Sequence, residues 1–106
     1  AQLSVQIDAA LASVAVLNLL RNAVFHNVPD GLVQVYILQH AVRVCNTGKT
    51  EPLIPEKIFT RFYKPDTGTA GAGLGLAIVK AICGLYDFTV SYQFDEDMHC
   101  FEIRFI

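Results

Sequence analysis

Between Ala9 and Asn27 the chain carries neither glycine nor proline, and most of its side chains there are apolar. A run of that length without a breaker reads as a helix, and Asp8 stands where its N-cap belongs. A helix so rich in apolar surface has to be covered by another layer of structure. Its polar residues are the anomaly. Asn18, Asn22 and His26 recur at i, i+4 and i+8, along one stripe. A buried amide without a partner costs about 1–3 kcal/mol. The stripe therefore points to a polar ligand or ion lying against it, to an amide network satisfied within the protein, or to a solvent-facing edge.

The remaining elements follow from their spacing. Leu3 to Ile7 alternates and predicts a short strand. Asn27, Pro29, Asp30 and Gly31 are turn chemistry. Leu32 to Leu38 and Ala41 to Cys45 predict two strands about Gln39 and His40. Gly48, Pro52 and Pro55 predict loop from Asn46 to Pro55, with a short helix over Glu56 to Phe62. A second long helix is expected over Leu74 to Leu85. A hairpin follows, from Thr89 to Phe94 and from His99 to Phe105, around Asp95, Glu96 and Asp97. Phe101, Ile103 and Phe105 share one face of its last strand; Glu102 and Arg104 share the other. The order predicts an α+β fold, a two-layer sandwich with a mixed sheet of about five strands and helices on one face. Residues 1–106 read as one domain.

Composition narrows the class. Apolar residues make up 53% and charged residues 17%, which excludes a disordered chain. A net charge of −2 argues against a nucleic-acid partner. The longest apolar run, Ala9 to Leu20, is interrupted by Ser13 and Asn18 and falls short of a membrane span. Cys45, Cys83 and Cys100 are odd in number and widely spaced. That spacing argues against a zinc site or a disulfide framework and for a reduced, cytosolic setting. The chain begins at Ala1 without an initiator methionine or signal-peptide pattern, and reads as part of a longer protein.

Two glycine motifs bear on chemistry. Gly71-Ala72-Gly73-Leu74-Gly75-Leu76 runs straight into the second long helix, where glycine permits close approach and a helix start offers N–H groups to phosphate. It is not a dinucleotide fingerprint, since no strand precedes it and position 76 is Leu. A flexible linker is its other reading. Gly48-Lys49-Thr50 resembles the end of a P-loop, but position 43 is Arg and Pro52 and Pro55 leave no room for the helix that must follow.

Taken in order, four segments resemble the catalytic, ATP-binding domain of bacterial sensor histidine kinases. Asn18-Leu19-Leu20-Arg21-Asn22-Ala23 resembles the N box, and Asn46-Thr47-Gly48 the first glycine box. Ile58-Phe59-Thr60-Arg61-Phe62-Tyr63 resembles the F box, and Gly71 to Val79 the second glycine box. The family shares the Bergerat fold with gyrase, MutL and the heat-shock chaperone ATPases, and the F box favours the histidine-kinase branch. The resemblance implies ATP and Mg²⁺ as cofactors. It implies that Asn22 holds Mg²⁺ and that His26 lies near the sugar or phosphates. Asn46 would face the adenine amino group, and Gly48 would pass under the base. It also places Arg61, Tyr63, Gly71, Gly73, Leu74, Gly75 and Leu76 in the ATP site. Asn18 and Lys64 would stand beside Asn22 in catalysis, and Phe59 and Phe62 would anchor the lid. An amide at Asn18 cannot act as a base, which favours transfer over hydrolysis.

Three positions depart from the family pattern. Asn46 replaces an aspartate and makes a weaker acceptor. Phe25 stands where relatives often have a cation. Lys64 replaces an arginine and cannot grip phosphate with two parallel bonds. The implied activity is transfer of the γ-phosphoryl group of ATP to a histidine on a separate dimerisation domain. A response regulator would act downstream, and the whole protein would be a homodimer although this piece alone is a monomer. The implied location is the cytoplasmic side of a membrane-anchored sensor. A nucleotide-sensing or protein-binding module without useful phosphotransfer, and an anti-sigma-type serine kinase, are the alternative readings.

Overall fold

A computed structural model of the chain describes residues 3–48, 53, 55–59 and 75–106. Helix α1 (Ala9–Phe25) begins as expected: the Asp8 carboxylate accepts from the N–H groups of Ala10 and Leu11, at 2.9 and 3.2 Å, and satisfies the first free donors. Strands β1 (Val33–Ile37) and β2 (Ala41–Thr47) follow, then a short helix α2 (Pro55–Ile58). Helix α3 (Gly75–Leu85) leads into β3 (Thr89–Asp95) and β4 (Met98–Arg104). No described helix is long and apolar enough to cross a membrane.

The described strands form one sheet in the order β1-β2-β4-β3, antiparallel throughout. It is neither mixed nor five-stranded. Residues 3–7 form no strand, although their side chains alternate between half-buried and exposed. Leu3, Val5 and Ile7 instead line an apolar hollow with Ile37, Val42 and Ile103. A two-residue period reports which side chains are covered; it does not show that the backbone is paired.

The loop expected from Asn46 begins two residues later. Asn46 pairs with Val33 on one side and His99 on the other, and Thr47 pairs with Met98, so both belong to β2. The last hairpin turns on two residues, Glu96 and Asp97, with φ of 48° and 61°. Positive φ at both positions gives the twist that a two-residue hairpin needs.

The core lies between the helices and the inner sheet face. Leu19 and Ala23 of α1 meet Val79 and Cys83 of α3 above Val44, Phe101 and Ile103. Phe59 sets its ring edge-on to Phe101, with centroids 6.2 Å apart, so the start of the F-box segment is tied to the core. On the outer face Arg43 and Glu102, opposed across β2 and β4, form an ion pair at 3.0 Å, and Arg104 reaches the same carboxylate.

The expectation of no disulfide is corrected. Cys45 and Cys100 face each other across β2 and β4 and form a disulfide, both buried. They are 55 residues apart, and their proximity comes from strand register, which no local cysteine spacing reveals. Cys83 stays a buried free thiol, its pKa pushed up by desolvation.

Candidate functional site

The inner face of β2 ends on a polar residue. Asn46 is 1% exposed. Its Nδ2 donates to the Thr47 carbonyl at 2.8 Å, which fixes the amide's orientation. Its Oδ1 is buried without a hydrogen-bond partner among the described residues. Native proteins rarely leave such an atom unsatisfied, because it forfeits about 1–3 kcal/mol of hydration. An oriented, dry acceptor at the end of a strand is what a ligand donor would fill.

Gly48 follows directly, where any side chain would crowd its neighbours. A Cβ there would lie 3.0 Å from the His26 carbonyl oxygen, and 3.1 and 3.4 Å from Cδ2 and Nε2 of His99. Three elements thus converge on one glycine: the end of α1, the end of β2 and the start of β4.

A latch holds this convergence. The Asn27 side chain donates to the Leu32 carbonyl and accepts from the Val28 N–H, each at 2.9 Å. The Thr47 hydroxyl donates to Asn27 Oδ1 and accepts from the Leu32 N–H at 2.8 Å. Gly31 fits beside both, since any Cβ there would collide with the Asn27 and Thr47 side chains. From sequence Asn27 reads only as a turn residue; its structural part is to fasten α1 to the β1–β2 hairpin.

The polar stripe of α1 divides into separate roles. His26 caps the helix, its N–H bonded to the Asn22 carbonyl at 3.1 Å. Its residue is exposed, and its backbone carbonyl is what meets Gly48. Asn18 is half-buried and donates from Nδ2 to the Val14 carbonyl at 2.8 Å. Its Oδ1 lies 3.1 Å from where a Cβ on Gly75 would stand, so glycine lets α3 start close against α1. Asn22 lies one turn from each, half-buried, and its side chain makes no hydrogen bond among the described residues. Leu76 packs on the core beside Gly75. Arg61, Tyr63, Lys64, Gly71, Gly73 and Leu74, together with Phe62, lie outside the described residues.

Sequence reasoning missed His99. It is 5% exposed, opposite Asn46 in the β2–β4 register, beneath Gly48. The signal was available: His99 precedes Phe101, Ile103 and Phe105 by the strand period, so it is a polar residue on the core face. Its Nδ1 lies 2.7 Å from the Tyr92 hydroxyl, and the Leu53 N–H donates to that hydroxyl at 2.9 Å. Burial raises the Tyr92 phenol pKa, against which the Leu53 hydrogen bond acts.

Known proteins resemble this chain in sequence and fold. The family described as histidine kinase-, DNA gyrase B- and HSP90-like ATPase matches residues 7–105. The sensor protein VanSC of Enterococcus gallinarum is 33% identical over 98 residues, which cover 82% of this chain and 26% of that one. A solved structure of the mycobacterial sensor histidine kinase MprB superposes with a TM-score of 0.78 at 25% identity, covering 93% of this chain and 74% of that one. Full-length ShkA, crystallised in complex with AMPPNP, superposes with a TM-score of 0.60 at 25% identity, covering 88% of this chain and 20% of that one. The chain thus spans about a quarter of the curated relative's length. Matched over residues 7–105, with the sheet and helices superposing on a solved sensor kinase, the chain belongs to the histidine kinase-, DNA gyrase B- and HSP90-like ATPases, as the catalytic ATP-binding domain of a sensor histidine kinase.

Proposed function

We propose that this chain binds Mg-ATP with its base against Asn46 and Gly48 and delivers the γ-phosphoryl group to a histidine on a separate dimerisation domain. The buried Oδ1 of Asn46, without a partner among the described residues, carries the reading. Because one N–H of Nδ2 is bonded to the Thr47 carbonyl, the amide is held with its oxygen, an acceptor, left for the base. That suits the 6-amino group of adenine and opposes the 6-oxo group of guanine. The fixed amide thus keeps purine selectivity although it lacks the charge of an aspartate. The nucleotide analogue in the ShkA complex supports the same class of ligand.

Asn22 would offer Mg²⁺ a neutral oxygen, a ligand type suited to a hard cation that keeps most of its waters. When bound, Mg²⁺ neutralises charge on the phosphates. Asn18, its Nδ2 held by Val14, cannot take a proton from water. Transfer then rests on positioning and charge stabilisation. Gly71, Gly73 and Gly75 would present backbone N–H groups to the phosphates, with His26, Leu74 and Leu76 beside them. Lys64, Arg61 and Tyr63 would complete the phosphate end. The partners in this reading are the dimerisation domain of the same kinase and, downstream, a response regulator. The whole protein is a homodimer with this part in the cytoplasm, and residues 1–106 form one monomeric domain when alone.

Asn46→Asp is expected to keep or improve ATP affinity, since a carboxylate is the stronger acceptor for the amino group. Asn46→Ala is expected to weaken it about tenfold, the worth of one hydrogen bond made in a dry pocket. Equilibrium binding of a fluorescent ATP analogue checks both. The transfer step is tested in the whole protein with γ-labelled ATP. An acid-labile, base-stable phosphohistidine is the expected product. ATP binding without any phosphohistidine would instead make the chain a nucleotide-sensing module.

A further inference from the structure

Tyr92 lies on β3, the strand next to the one that carries His99, and belongs to none of the four sequence boxes. Its hydroxyl nevertheless joins two parts of the base pocket. On one side it accepts from the N–H of Leu53, in the connection that follows Gly48. On the other it meets Nδ1 of His99, whose ring lies under Gly48 and opposite Asn46. The Tyr92 and His99 rings are stacked, with centroids 5.9 Å apart and planes 23° from parallel. Phe94 closes on His99 from 4.8 Å.

We propose that Tyr92 and His99 are positioning residues for the base end of the pocket. The Tyr92 hydroxyl holds the His99 ring beneath Gly48 and ties Leu53 to it, and so sets the height of the Gly48 backbone over the Asn46 acceptor. A backbone N–H can only donate, so Leu53 occupies an acceptor site on the hydroxyl oxygen. The hydroxyl proton is then directed to His99 Nδ1, which holds the imidazole as its Nε2–H tautomer with that edge toward Gly48. This inference rests on the reading of Asn46 as the adenine contact.

Tyr92→Phe tests it, because the variant keeps the ring contacts with His99 and Phe101 and removes only the hydroxyl. Two ligands are titrated into the chain: Mg-ATP, and the Mg complex of its analogue without the 6-amino group. The parent is expected to prefer ATP. In Tyr92→Phe the ATP affinity is expected to fall about tenfold while the analogue's affinity holds, so the preference shrinks by the same factor. A general structural role would weaken both ligands together, and that result overturns the inference. NMR of the parent supplies a second measurement that needs no variant. Long-range ¹H–¹⁵N correlations are expected to show His99 protonated at Nε2 and bare at Nδ1. Protonation at Nδ1 overturns the inference. ATP binding by the parent with unchanged selectivity in Tyr92→Phe overturns this inference alone. No binding of ATP by the parent overturns the nucleotide reading, and this inference with it.

Discussion

Asn22→Asp is expected to leave the fold in place and to reduce phosphotransfer by at least about a hundredfold. The two side chains have nearly the same size, and Asn22 is only half-buried with no side-chain hydrogen bond among the described residues to lose. Stability should therefore change by no more than about 0.5 kcal/mol. The chemistry changes more. A carboxylate at this position brings a negative charge close to the phosphates. At about 5 Å and an effective dielectric constant near 20, each phosphate charge is opposed by about 3 kcal/mol. The bound cation offsets part of that, and the loss of the amide donor adds to it. A net cost of about 2.7 kcal/mol corresponds to the hundredfold. The measurement is phosphohistidine formation by the whole protein, with circular dichroism and the melting temperature of the variant as controls for folding. Transfer at the parental rate would remove Asn22 from the Mg²⁺ site.

Phe101→Ala is expected to cost about 3–5 kcal/mol of folding stability. Phe101 is 2% exposed at the centre of the sheet's inner face, between Val44 on β2 and Tyr92 on β3. Phe59 meets it edge-on, and Tyr92 lies with its ring centroid 5.1 Å away. Alanine would leave a cavity beneath α1 and α3 that two helices fixed to a hydrogen-bonded sheet can only partly fill. For a chain of 106 residues the loss corresponds to a melting temperature lower by about 10–20 °C. Urea denaturation of parent and variant, compared by midpoint at equal slope, gives the value directly. A loss below about 1 kcal/mol would show that the core does not centre on this ring.

What was legible in the sequence was whatever a local pattern encodes. The breaker-free run from Ala9 gave α1, and the Asp8 cap gave its first residue. The parity of Phe101, Ile103 and Phe105 gave the buried face of β4. The resemblance singled out Asn46 and Gly48, and Gly48 lies against the His26 carbonyl at the end of α1. What was not legible depends on which strand lies beside which. Asn46 belongs to β2 because Val33 and His99 pair with it, which outweighs the loop signal of Gly48 and Pro52. The alternation of Leu3, Val5 and Ile7 is satisfied by an apolar hollow rather than by a partner strand. Cys45 and Cys100 meet through register alone. Tyr92 and His99 belong to the last hairpin, but Leu53 lies 39 residues before Tyr92, so no spacing could announce the chain that joins all three.

Calorimetric titration of the chain with Mg-ATP tests the central claim most directly. In the proposed reading Asn46 is a neutral acceptor, and Phe25 and Lys64 stand in place of stronger phosphate contacts, so binding is expected in the micromolar to millimolar range, roughly −8 to −4 kcal/mol. The expected result is a saturable heat of binding, together with a melting temperature that rises with ATP concentration. No heat and no rise in melting temperature up to several millimolar ATP, about the weak end of that range, would contradict the account.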